Sequence, residues 1–158
     1  MPKKKVKAEF IDPPITHEAV ETKATHFMSV AESAATSLQG YLNILHSVGF
    51  FRTGEKITLA TKPDAQLFVS EKGELMVTRK PVYDISYPLE LQQEFLQPEA
   101  IGVIPAVIEF DLRTCGEKIM TKLDSLLPRV ESNDRHLKKD LETITMRVEQ
   151  IKRLNAKQ

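Results

Sequence analysis

The 158-residue sequence predicts an α+β fold in which two long heptad-patterned helices, one N-terminal and one a C-terminal coiled coil, flank a small three-stranded β meander. Three observations carry this. Apolar residues recur every 3.5 positions from Val20 to Val48, and again from Met120 to Ile151. Between them, over residues 53 to 80, the apolar period shortens to that of strands. A hydrophobic fraction of 41% with 28% charged residues suits a chain that buries a core.

Residues 1–15 form a basic, Pro-containing tail. Lys3, Lys4, Lys5 and Lys7 crowd its start, and Asp12-Pro13-Pro14 blocks helix and favours extended backbone. Residues 16–49 then read as a long helix. Thr16 stands at the N-cap, and Ile15 and Val20 are spaced as a hydrophobic staple. From there the seam steps by four and three through Val20, Ala24, Phe27, Ala31, Ala34, Leu38, Tyr41, Leu45 and Val48. Met28, Ala35 and Leu42 widen it on one side, Val30 and Ile44 on the other, so at least two neighbours are needed to cover it. The small side chains of Ala31, Ala34 and Ala35 let another backbone come close. Gly49 falls where a left-handed C-terminal cap is wanted, and Phe50 is placed to touch Leu45.

Residues 50–80 hold the meander. Residues 57–59, 66–70 and 74–78 read as strands, with turns at Lys62-Pro63-Asp64 and Glu71-Lys72-Gly73, where Gly73 can take a positive φ. A sheet this small needs a helix or a second molecule over one face. Residues 81–113 form an acidic linker punctuated by proline. They carry a possible short helix at residues 89–96, and an apolar run at residues 100–108 that reads as an edge strand or a buried extended segment; Pro105 argues against a central strand.

Residues 114–158 read as the C-terminal coiled-coil helix. Thr114 and Glu117 have capping-box spacing. The seam runs Met120, Leu123, Leu127, Val130, Asp134, Leu137, Leu141, Ile144, Val148, Ile151 and Asn155, with Asp134 its one clear polar intruder. The apolar phase continues unshifted across Pro128, which favours one helix kinked there over two. Isoleucines at 144 and 151 lean toward bundles of three or more helices. At 1.5 Å per residue the two helices measure about 48 and 64 Å, so the second would overhang the first by roughly 16 Å even if they packed side by side.

Composition narrows the chemistry. Formal net charge is zero, but Lys and Arg outnumber acids seven to three from Arg135 to the end, and Pro81 to Asp111 holds six acids and no base. A single cysteine, Cys115, excludes an intrachain disulfide and a thiolate metal cluster. No apolar core follows the basic start, so it is not a secretory signal, and no run is apolar enough to span a membrane. The expected location is intracellular or particle-associated, cytoplasmic and nuclear being unresolved.

Catalytic patterns are missing. His17, His26, His46 and His136 make no metal-ligand spacing, and His17 and His26 point to opposite sides of one helix. His136 and Asp140 fit an ordinary surface contact, and Cys115 an inert thiol. No glycine-rich phosphate loop is present. No catalytic, metal or cofactor residue is expected. The segment from Pro2 to Lys7 resembles a short nuclear-import signal; the same lysines could contact phosphates or an acidic protein surface.

The expected site is therefore a helix-packing interface made of Phe27, Ala31, Ala34, Leu38, Leu45, Leu137, Leu141, Ile144, Val148 and Ile151, with Lys3, Lys4, Lys5 and Lys7 as basic-tail contacts. The partner expected is protein, in self-association or a hetero-complex with three or more helices per bundle, and no membrane. The functional expectation is a non-enzymatic structural or assembly subunit, for example of a virion or another large particle. A nucleic-acid-associated protein using the basic tail and C-terminal helix is the second expectation. The helix–β–helix order is also similar to that of the prefoldin chaperone subunits, which implies a chaperone subunit as a third.

Overall fold

Thr16 accepts a hydrogen bond from the Ala19 N–H through Oγ1 at 3.1 Å and starts helix α1, His17–Ser47, in a computed structural model that describes residues 14–81 and 97–157. Extended backbone at Thr16 (ψ 158°) points its hydroxyl at the helix's unsatisfied first-turn amides. The basic tail residues Lys3, Lys4, Lys5 and Lys7, and the short helix expected at residues 89–96, lie outside the described residues. At the other end of α1, Gly49 adopts φ 73°, as a left-handed stop requires, and a 3-10 turn, Phe50–Thr53, folds Phe50 into the core that also holds Leu45.

Among the described residues the sheet has four antiparallel strands in sequential order, where three were expected: β1 Ile57–Lys62, β2 Ala65–Val69, β3 Leu75–Arg79 and the two-residue β4 Glu99–Ala100. Pro63 and Asp64 turn β1 into β2. A bulge between Thr58 and Ala60 lets Leu59 and Ala60 both be buried, where strict alternation would expose one of them. With Ile57, Ala65, Leu67, Val69, Leu75 and Val77 they form the inner face. Gly73 makes the second turn at φ 84°, beneath the His46 ring, whose Nε2 lies 3.3 Å from the Gly73 carbonyl.

The apolar run expected as extended is helical for most of its length. Ala100 pairs with Met76 at the sheet edge, and helix α2 then runs Val103–Glu109. The reason is the position of Pro105, in the first turn of α2, where an N–H has no intrahelical acceptor to lose. A turn closed by Arg113 Nε on Asp111 Oδ1 at 2.9 Å leads into helix α3, Cys115–Ala156. That contact holds the Asp111 carboxyl down to about 2. The capping box expected at Thr114 does not form. Its ψ of 10° departs from the extended backbone that would bring the hydroxyl over the first turn, and its side chain makes no cap bond. Helix α3 continues through Pro128 as one helix.

All of these elements share one core. Leu38, Leu42 and Leu45 of α1 meet the inner sheet face, and Ala106 of α2, Phe110 just after it, and Cys115 and Ile119 of α3 complete it. α2 lies along α1, and α3 lies against β1; α1 and α3 are not packed along their lengths. Lys122 Nζ bonds Glu55 Oε2 at 2.9 Å, pinning α3 beside the start of β1 and holding the Glu55 carboxyl below its usual value. Past Leu126 no apolar side chain of α3 packs against the core.

Candidate functional site

The structure divides the expected interface into two sets. Leu38 and Leu45 belong to the chain's own core at 3% and 1% exposure, and Ala31 is buried as well, so these three are not open to a neighbour. Their row follows the three-four rhythm Ala31, Ala35, Leu38, Leu42, Leu45. Phe27 and Ala34 are exposed. Leu137, Leu141, Ile144, Val148 and Ile151 are all exposed, at 44% to 67%.

Two arms result. No residue of α1 from 17 to 30 is buried, so about 20 Å of helix, estimated at 1.5 Å per residue, stands clear of the body. Its open apolar side chains are Val20, Phe27, Met28 and Val30. Val20, Phe27, Tyr41 and Val48, each a whole number of heptads from the next, are all exposed, and Ala34 continues the same row. The second arm is α3 beyond Leu126, about 45 Å at the same rise.

On α3 the packed and the open stretches belong to one face. Ile119, Leu123 and Leu126 meet the core, and steps of three, four and seven carry the same stripe on through Val130, Leu137, Leu141, Ile144, Val148 and Ile151. Within the body the contact uses Ile119 and Leu126, and their seam neighbours Met120 and Leu127 stay exposed. Pro128 stands where the helix leaves the body. Lys138 Nζ lies 3.1 Å from Asp134 Oδ2, so the one acidic residue in the seam is neutralised from the same helix.

The row on α1 leads into an open groove of about 410 Å³ lined by Ala34, Ser37 and Tyr41 of α1, Val107 of α2 and Phe110 just after it, and Cys115 at the start of α3. The sequence does not announce this groove, because Val107 in its far wall belongs to the apolar run that reads as extended. Cys115 is 3% exposed, and burial pushes its thiol above the ordinary range. Among the described residues no group of three or more His, Cys, Asp or Glu side chains is arranged to hold a metal ion, and no helix is long and apolar enough to cross a membrane.

No protein-family model matches the chain, and neither curated proteins nor solved structures give a match.

Proposed function

We propose that this chain is a structural or assembly subunit: an α+β body that docks through two helical arms, self-associating or joining a larger particle. One observation supports the reading above all. The face of α3 that packs on the body continues for the rest of the helix as Leu137, Leu141, Ile144, Val148 and Ile151, with nothing over it. Each such side chain gains about 1.5–3 kcal/mol when fully buried. A helix without tertiary contacts is marginal in water, because packing of an apolar face supplies most of a helix's stability. A length of open stripe on each arm is therefore what an assembly surface requires.

Light scattering on Leu141→Asp and Ile144→Asp, beside the unaltered chain, tests this. Each substitution would bury an unpaired charge in the interface, at a cost of several kcal/mol. The expected result is a lower mass for both variants. An unchanged mass in both would overturn the reading.

A further inference from the structure

We propose that the groove between strand β1 and the start of α3 takes an acidic segment of a partner protein, added to the sheet as a further strand beside β1. The site is separate from the two arms and does not depend on how they assemble.

β1 is the outermost strand of the sheet, and among the described residues its backbone ladder is made with β2 alone. The N–H and C=O groups on its other edge therefore form a row that another extended backbone matches. α3 lies against β1, and an open groove of about 510 Å³ runs between them, with residues 55–58 as one wall. Lys118, Thr121, Lys122 and Ser125 of α3 are the other. A strand edge beside such a groove is the setting in which a peptide strand adds to a sheet. Its main chain supplies the bonds, and the flanking side chains select the sequence. A bulge between Thr58 and Ala60 breaks the straight run of β1, so the added strand pairs alongside residues 55–58, where the groove lies.

Charge chooses the partner. The walls hold three bases, Lys56, Lys118 and Lys122, against one acid, Glu55. Lys122 already bonds Glu55. Among the described residues neither Lys56 nor Lys118 forms an ion pair, and Lys56 lies over the Phe68 ring at 5.6 Å. The acids of the same stretch of α3, Glu117 and Asp124, are not in the walls. An acidic side chain on the incoming strand is attracted by both lysines, and a basic one is repelled. A second copy of β1 is a poor match, because its residues, Ile57–Lys62, include no acid.

Fluorescence polarisation on the 158-residue chain tests this, with a labelled eight-residue peptide of alternating valine and glutamate as the probe. The probe should bind saturably, and the matching valine–lysine peptide should not. N-methylation of alternate backbone amides in the probe should weaken binding about tenfold or more, because it removes the strand's bonds to β1. Lys56→Glu and Lys118→Glu should each weaken it to a similar extent. Lys56 is exposed and Lys118 partly so, and a cooperative thermal melt verifies that both variants keep the folded body. The proposal is overturned if the valine–glutamate probe does not bind saturably, if the N-methylated probe binds equally well, or if both variants keep the wild-type affinity. None of these readouts is the mass of the chain, so failure here is told apart from failure of the assembly reading.

Discussion

Arg79 at the end of β3 donates to both carboxylate oxygens of Glu109 at the end of α2, 30 residues along the chain, with Nη2 at 2.9 Å from Oε2. Lys62 of β1 stands 4.0 Å from the same carboxylate, with its ammonium 5.6 Å from the centre of the Phe110 ring. One acid at the end of α2 thus faces bases from two strands.

The first prediction concerns this contact. The two side chains are 39% and 25% exposed, so water screens the pair and Arg79→Ala should cost about 1 kcal/mol in a denaturant titration. Donation from Arg79 holds the Glu109 carboxyl below its ordinary 4.5. A carboxylate with a depressed folded-state value stabilises above its unfolded-state value and loses that contribution as pH falls through the folded one. The stability gap between the wild-type protein and Glu109→Gln should therefore be full at neutral pH and close as pH drops below about 4.5. A gap that widens in acid would contradict the ion pair.

Gly73 carries the second. Its φ is 84°, and a Cβ there would meet the His46 ring and lie 2.8 Å from Phe51 Cδ2. Gly73→Ala should destabilise by about 1–3 kcal/mol through strain and overlap together. Part of that loss should return in the double variant with His46→Ala, because the ring that Cβ meets is gone. Additive losses in the thermodynamic cycle would show that the ring does not matter.

A third prediction separates core from arm. Leu45 is 1% exposed and Leu137 is 67% exposed, although both belong to the sequence-predicted interface. Leu45→Ala should lower the unfolding free energy of the body by about 2–5 kcal/mol. Leu137→Ala should leave that quantity within about 0.5 kcal/mol and weaken association instead. Chemical denaturation at low protein concentration reads the first effect, and sedimentation the second.

The thiol of Cys115 provides the fourth. Buried at 3% exposure with its pKa raised by burial, it should react with a thiol reagent at neutral pH only after denaturant unfolds the body. Fast labelling of the native protein would show that the start of α3 opens readily.

How much of this was legible in the sequence depends on what each signal required. Thr16, Gly49 and Gly73 announce themselves, because a cap and two positive-φ turns depend on single residue types. The long stripes were equally plain. Which side of the first stripe turns inward was not, since Leu38 and Tyr41 stand one helical step apart and only the placement of the sheet buries one and opens the other. Residues 100–108 misled, because a short apolar run lacks the length to show a period and Pro105 is tolerated both in an edge strand and in a first helical turn. Strand β4 has two residues and no pattern at all; it exists because Ala100 falls beside Met76. At Thr114 the capping box failed because the turn from Asp111 to Arg113 sets its backbone.

Sedimentation equilibrium of the 158-residue chain over a concentration series measures the central claim most directly. Apolar faces on α1 and α3 that need a neighbour predict a mass of two or more chains at high concentration, falling on dilution toward 17.9 kDa. A mass of 17.9 kDa across the whole series would contradict it.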